Sequence, residues 1–437
     1  MKKIIPFVLV LILFRQNIFA QLPNPALIGY WQNWSDVNSP YIQLDQVDSR
    51  YNVVDLAFAV PHTGTDYQME FIPDQVSQAV LISQIQSLQS QNRKVLISVG
   101  GATAPIVLSS TAERDTFIST MTGIINTFGF DGMDIDLEGS SLSLTGGTIS
   151  SPVDQPIIRM IYAVRQIMLN FYLQHGHKMI LSMAPETAFV QGGMSAYSGI
   201  WGAYLPVIHA LRDSIEILHV QLYNSGSMYG IDGNIYNQGT ADFIAAMTEA
   251  VIQGFNTTGG FFSGLPANKV VVGLPACPGA AGGGYISPVI VQSAINYLMG
   301  SGPQPGSYVL ANASGYPSLR GMMTWSINWD AVSSCASAYE YANNFQNIFS
   351  FPTEVSAEAE GENYFFAYPN PAGNQLSICN RQSAITSVEI YGVLGNIVFN
   401  EQMTANIQKQ ITIDVSSFPS GIYFIKGGNT FRKIVKN

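Results

Sequence analysis

Four carboxylates fall within nine residues, Asp131-Gly-Met-Asp-Ile-Asp-Leu-Glu-Gly139, in an otherwise apolar run. In a strand, alternate side chains share a face. Asp134, Asp136 and Glu138 therefore point one way, and Met133, Ile135 and Leu137 the other. Three acids on one buried face repel each other and destabilise the fold unless they share protons or hydrogen bonds. Glu138 lies furthest along, just before Gly139, with two acids behind it to bias its protonation. That is the placement of a general acid. Two plainer readings compete. Three carboxylates can hold a hard cation, but the calcium-loop pattern asks for Asp-x-Asp-x-Asp-Gly in a loop with a later Glu. The other is a purely structural acidic cluster.

The elements that position these acids alternate along the chain. Apolar runs at Ala26–Tyr30, Val53–Ala59, Val95–Val99, Met179–Met183, Ile215–Tyr223, Val270–Leu274 and Met322–Ile327 read as strands, with the acidic strand after the third. Between them, apolar residues recur at helical spacing, as in Val76, Val80, Leu81, Ile85 and Leu88, and in Phe117, Met121, Ile124, Ile125 and Phe128, where Thr111 is a candidate cap. Further helices are expected over Ile157–Phe171, Trp201–Leu211, Ala241–Ile252, Pro288–Leu298 and Ala331–Phe349. Strands alternating with helices argue for a parallel sheet. Eight of them predict an α/β fold, a (β/α)8 TIM barrel; a doubly wound open sheet is the alternative, but no Gly-rich dinucleotide fingerprint follows any strand. Barrel sites lie at the carboxyl ends of strands, where Trp31, Gly100-Gly101, Glu138, Glu186, Tyr223 and Trp325 fall.

Asp131, Asp134, Asp136 and Glu138 match in full the Asp-x-x-Asp-x-Asp-x-Glu signature of glycoside hydrolase family 18, the chitinases and their relatives, and residues 26–349 resemble that family throughout. Leu96-Ile-Ser-Val-Gly-Gly101, Leu181-Ser-Met-Ala-Pro-Glu186, Val220-Gln-Leu-Tyr-Asn224 and Gly321-Met-Met-Thr-Trp-Ser326 look like its third, fifth, sixth and eighth strand motifs. The resemblance implies a secreted, endo-acting chitinase that needs no cofactor and no metal. Glu138 would be the acid and then the base, Asp136 and Asp134 a coupled pair, and Tyr223 the support of the acetamido carbonyl. Trp325, Gln221, Asn224, Tyr30, Trp31, Gly100, Gly101, Met183 and Glu186 would bind substrate, with Asp131 and Ser98 in structural support. The same motif fits an endo-β-N-acetylglucosaminidase acting on N-glycans, or a chitin-binding protein without activity. The expected partner is chitin or its N-acetylglucosamine oligomers, met by a monomer across an open cleft, since the interval between sixth and eighth strands leaves limited room for a large lid.

Lys2 and Lys3, the apolar run Ile4–Phe14 and Ile18-Phe19-Ala20 read as a secretory signal over residues 1–20; no other stretch is long and apolar enough to span a bilayer. Charged residues are 11% of the chain, against roughly 25% in an average domain. The net charge of −10 argues against nucleic acid as a partner. Three cysteines leave at least one unpaired within the chain, and whether Cys277 pairs with Cys335 is open on spacing alone. The barrel is expected over 21–350, an acidic linker over 351–362, and a small β-sandwich over 363–437 built from short alternating runs. Tyr368-Pro-Asn-Pro371, Ser420-Gly-Ile-Tyr423 and the basic end Lys433–Lys436 resemble the C-terminal sorting domain of the type IX secretion system of Bacteroidetes. That implies contact with the secretion machinery, and release or display at the outer cell surface. A carbohydrate-binding sandwich is the rival, but all five tryptophans (31, 34, 201, 325 and 329) lie in the barrel part.

Overall fold

Eight short apolar runs lie side by side in parallel. They are β1 (Ala26–Gln32), β2 (Val53–Pro61), β3 (Lys94–Gly100), β4 (Gly132–Asp136), β5 (Ile180–Met183), β6 (Ile217–Leu218), β7 (Val271–Pro275) and β8 (Gly321–Trp325). The computed structural model describes residues 22–65, 67–349, 365–368, 371–380, 387–393, 395–402, 410–427 and 430–436. The expected signal segment and linker lie outside the described residues. In the sheet the order is β7-β8-β1-β2-β3-β4-β5-β6, and parallel bridges Leu218–Val270 and Gln221–Gly273 join its two ends. The sheet closes into a (β/α)8 barrel, not an open doubly wound sheet.

Helices fill the crossovers: α1 (Gln78–Ser90), α2 (Thr111–Phe128), α3 (Gln155–His175), α4 (Leu205–Leu211), α5 (Ala241–Gln253), α6 (Pro288–Leu298), the single turn α7 (Ile327–Asp330) and α8 (Glu340–Phe349). α2, which delivers the chain to the acidic strand, buries Phe117, Ile118, Met121, Ile125 and Phe128. Its cap is Ser110 rather than Thr111. The Ser110 hydroxyl accepts from the Glu113 amide, and the Glu113 carboxylate accepts from the Ser110 amide, a reciprocal capping box.

Three expected elements are shorter than their apolar runs. The sixth strand pairs regularly only over Ile217–Leu218, because the chain then divides its amides between neighbours. His219 and Gln221 donate to the Met183 and Pro185 carbonyls on one side, Leu222 to Gly273 on the other. The run from Trp201 becomes helical only at Leu205, ahead of Pro206, whose ring suits a first turn. The final helix starts at Glu340, not Ala331, since the preceding segment carries Cys335, bonded to Cys277 with Cα atoms 5.7 Å apart.

Residues 350–437 form a separate unit. Its described strands are β9 (Phe365–Tyr368), β10 (Gln375–Asn380), β11 (Ser387–Gly392), β12 (Ile397–Gln402), β13 (Gln410–Asp414), β14 (Gly421–Gly427) and β15 (Thr430–Lys436). One sheet runs β9-β10-β13, the other β12-β11-β14-β15. Leu376, Ile378, Val388, Ile390, Ile413, Ile425 and Ile434 form its buried core.

The disulfide spans 58 residues of sequence, and closing a loop of that size removes about 4 kcal/mol of unfolded-chain entropy, of which roughly 2–4 kcal/mol is commonly realised. The Cys277→Ser/Cys335→Ser double variant is therefore expected to lose about that much unfolding free energy in denaturant titration. An unchanged midpoint would show that the bond contributes nothing to stability.

Candidate active site

Strand parity puts Asp134 and Asp136 inside the barrel, both essentially inaccessible to water, while Met133 and Ile135 join the layer between sheet and helices. Such a carboxylate is tolerated only if it is surrounded by donors. Asp134 is. Its Oδ2 accepts from the Tyr30 hydroxyl and the Ser98 hydroxyl, each at 2.7 Å, and its Oδ1 from the Ser182 hydroxyl at 2.7 Å. The neighbouring strands bring those donors level: Ser98 on β3 and Ser182 on β5 both stand in register with Asp134. His219 Nε2 lies 3.2 Å from Oδ1, although its ring is not aligned for a regular hydrogen bond. Burial alone would raise the Asp134 pKa. The His219 ring and the hydrogen bonds outweigh burial and hold it below the usual aspartate value.

Asp136 has the opposite balance. Burial, then the charges of Glu138 and Asp134, push its pKa well above the usual range. Glu138 follows the last paired residue and is only partly exposed. Its pKa is also raised, by burial first, against the pull of a hydrogen bond from Gln221 and with help from the charge of Glu186. The Gln221 amide nitrogen ties the two acids together, standing 2.9 Å from Asp136 Oδ1, 2.9 Å from Glu138 Oε1 and 3.0 Å from the Ala184 carbonyl. From behind, the Tyr204 hydroxyl accepts from the Leu137 amide and donates to the Ile135 carbonyl, fixing the backbone between the acids. The stack thus has a lowered pKa at the floor on Asp134, the strongest upward shift on Asp136 above it, and a smaller upward shift on Glu138 at the mouth.

The mouth opens into a cleft of about 530 Å³ lined by Asp136, Glu138, Gln221, Tyr223, Asn224 and Trp325, together with Trp34, Phe58 and Ile72. Trp325 stacks on Phe58 with ring centroids 5.8 Å apart and planes 11° apart, and Trp34 tilts against both. Such a flat apolar wall suits the C–H face of a sugar. Tyr223 is 5% exposed and turns its ring into the cleft. Where β3 ends, Gly100 and Gly101 have φ of 110° and 82°. A Cβ on Gly100 would lie 2.3 Å from the Asp136 carbonyl oxygen, which accepts from the Gly101 amide at 2.7 Å. Only glycine lets the two chains approach so closely there.

The same sequence matches known proteins. Residues 26–368 match the model of glycosyl hydrolases family 18. The chain belongs to glycosyl hydrolase family 18. Residues 367–437 match the secretion system C-terminal sorting domain. Chitinase Chi52 of Paenibacillus xylanexedens is 47% identical over 321 residues, and Chitinase D of Niallia circulans 47% identical over 322; each alignment covers 71% of this chain. The chain spans only 60% of the length of each of those relatives. Chitinase ChiA of Flavobacterium johnsoniae is 34% identical over 94% of this chain and 28% of its own length. Among solved structures, a family GH18 chitinase from Chromobacterium violaceum superposes with a TM-score of 0.65 at 33% identity, covering 74% of this chain and 82% of that one.

Set against the family 18 motifs, the expected residues separate into three groups. Glu138, Asp136, Gln221, Tyr223, Asn224 and Trp325 meet at the cleft. Tyr30, Ser98 and Asp134 lie beneath it, so Tyr30 holds Asp134 rather than facing the cleft. Glu186 stands behind Glu138, accepting from the Gly139 amide at 3.3 Å. Asp131 sits at the amino end of β4, where Oδ2 accepts from the Val95 amide and Gln89. Two further expectations are corrected. Trp31 is fully buried on the outer face of β1, donating to the Ile42 carbonyl and packing on Tyr41. Its parity is opposite to Tyr30, which is why it points away from the barrel interior. Met183 is likewise fully buried in the sheet–helix layer. Phe58 escaped the sequence reading because β2 shifts register between Leu56 and Ala59, so simple alternation misplaces it. Asp55, Asp134 and His219 are, among the described residues, the one cluster with metal-ligand character, all buried.

Because the Glu186 charge helps raise the Glu138 pKa, Glu186→Gln should lower the midpoint of Glu138 titration. The amide keeps an acceptor for Gly139. Carbon-detected NMR of the labelled Glu138 carboxyl reads this directly; an unmoved or raised midpoint would contradict it.

Proposed function

We propose that this chain is an exported chitinase, hydrolysing β-1,4 bonds between N-acetylglucosamine units with retention of configuration. The observation that carries the reading is the graded acid stack, Asp134 to Asp136 to Glu138, bridged by one Gln221 amide and opening beneath an aromatic wall. The name borne by the relatives that are 47% identical supports the substrate.

The usual glycosidase needs an acid and an opposing nucleophilic carboxylate, and family 18 is a known exception that borrows the nucleophile from its substrate. The cleft here agrees with the exception. Besides Asp136 and Glu138, the carboxylate that lines it is Glu70, which is engaged by His62 at 2.9 Å. In the first step the bond from C1 to the leaving oxygen breaks, and that oxygen takes the Glu138 proton. The carbonyl oxygen of the sugar's own 2-acetamido group closes on C1 to give an oxazolinium ion. Asp136 passes its proton to Glu138, which supplies it to the leaving oxygen; now a carboxylate, Asp136 turns to accept from the acetamido N–H, and its negative charge stabilises the cationic ring. Tyr223 donates to the acetamido oxygen, and Trp325 supports the sugar from below. In the second step Glu138, now a carboxylate, takes a proton from water as that water attacks C1 and the ring reopens. Two inversions at C1 leave the β configuration.

The N-terminal segment and the tail support export through a type IX pathway, to the medium or the outer surface. One chain carries the whole acid stack, which supports action as a monomer.

Chitin hexasaccharide and a high-mannose glycoprotein, incubated separately with the enzyme and followed by mass spectrometry, test the substrate. The expected result is short N-acetylglucosamine oligomers and an untouched glycoprotein. Released N-glycan with intact hexasaccharide would keep the chemistry and overturn the substrate. Glu138→Gln should reduce turnover at least about a hundredfold while retaining oligosaccharide binding by calorimetry; equal turnover would remove Glu138 from the mechanism.

A further inference from the structure

Beneath the acid stack lie two fully buried groups that no step of the hydrolysis uses, Asp55 on β2 and His219 just past β6. Alternation brings both inward: Asp55 stands in register with Tyr30 on β1, and His219 precedes Gln221 by two residues on the same extended segment, so both face the barrel interior. His219 Nε2 is 3.2 Å from Asp134 Oδ1 and 3.7 Å from Asp55 Oδ2. Neither Asp55 oxygen and neither His219 nitrogen makes an aligned hydrogen bond with another group. Among the described residues, His219 is the only basic side chain within ion-pair distance of Asp134 or Asp55.

We propose that His219 is a positioning residue that presents a protonated Nε2 to Asp134, keeping the stack's negative charge at the floor and its mobile proton on Asp136 and Glu138, with Asp55 as an uncharged backing group. The inference rests on the hydrolytic reading of this site. Hydroxyls from Tyr30, Ser98 and Ser182 already hold Asp134. They are neutral, however, and they alone leave a buried negative charge beside a second carboxyl. An N–H from a basic ring is the group that counters it. Asp55 supports the same arrangement, since burial and the nearby Asp134 charge push its pKa well up, which favours its uncharged form. The other titratable groups facing this centre are Tyr30 from β1, Asp136 and Glu138 from the acidic strand, Tyr204 from the start of α4 and Tyr223 from the cleft.

The three side chains offer ligand atoms within 4.8 Å of one another, which also resembles a metal set. Both Asp134 oxygens are already occupied by hydroxyl donors, and this favours a proton over a metal.

The test uses the full chain with its five histidines labelled in nitrogen. Long-range proton–nitrogen correlation should show one histidine, absent in His219→Gln, whose Nε2 remains protonated throughout the pH range of activity. An unprotonated Nε2 would overturn the proposal. Gln keeps a neutral amide donor but lacks the basic ring, so Asp134 becomes easier to protonate. The acid limb of the kcat/KM profile in His219→Gln should therefore move up by about one pH unit, with KM nearly unchanged. An unmoved limb would contradict the assignment. Asp55→Asn should leave the limb in place; a shift as large as that of His219→Gln would contradict its uncharged role. A stoichiometric metal in the purified chain would overturn the proton in favour of a metal site. If His219→Gln does not fold, the nitrogen signal of the unaltered chain still decides. A chain that cleaves neither chitin oligomer nor N-glycan would end the hydrolase reading, yet the same nitrogen signal would still test the protonation of His219 by itself.

Discussion

A carboxylate on the axis of a closed barrel has no water to solvate it, and the floor of this barrel is arranged around that need. Asp134 collects three hydroxyl donors from three different strands, β1, β3 and β5. Each could be placed only by a sheet that has closed on itself with a fixed register. Burial, then the charges of Glu138 and Asp134, strongly disfavour a charge on Asp136; burial and the Glu186 charge disfavour one on Glu138 less, because it reaches the cleft. The proton of the upper stack is therefore held most strongly at Asp136, directly above the compensated charge.

The walls depend on the same geometry. Gly100 and Gly101 bring the end of β3 against the Asp136 carbonyl, Tyr204 fixes the backbone at Leu137 from outside, and Gln221 spans the two upper acids. Gln221 reaches them because its strand segment leaves the regular ladder after Leu218 and bonds to both neighbours. The departure from ideal strand structure is therefore part of how the site is assembled. The aromatic face of Trp325, Phe58 and Trp34 then supplies an apolar surface beside a polar stack, the combination a sugar ring with one C–H face and several hydroxyls requires.

Alternation along strands made much of this legible from the amino-acid order. The inward face of Asp134, Asp136 and Glu138 followed from parity alone, and the barrel from eight alternations of strand and helix. Parity carried one residue further would also have turned Trp31 outward, since Tyr30 and Gln32 flank it on the inner face; the expected strand stopped at Tyr30, whereas β1 runs on to Gln32. Parity likewise turns Met183 outward beside Ser182. Other features were hidden for a physical reason. Phe58 reaches the cleft through a register shift, which leaves no mark in the order of residues. The meeting of Asp55 with His219 joins residues far apart in sequence, and only the closed sheet brings them together. The segment before the shortened last helix carries Cys335 of the Cys277–Cys335 bond, a pairing that spacing could not decide.

The chemistry of the stack turns on where its protons are. Neutron diffraction from a crystal of the unliganded enzyme, exchanged into deuterium oxide near neutral pH, would locate them. The arrangement described here predicts a bare Asp134 carboxylate receiving deuterons from Tyr30, Ser98 and Ser182, with a deuteron bound to Asp136 or shared between Asp136 and Glu138. A deuteron on Asp134, with Asp136 and Glu138 both bare, would contradict it.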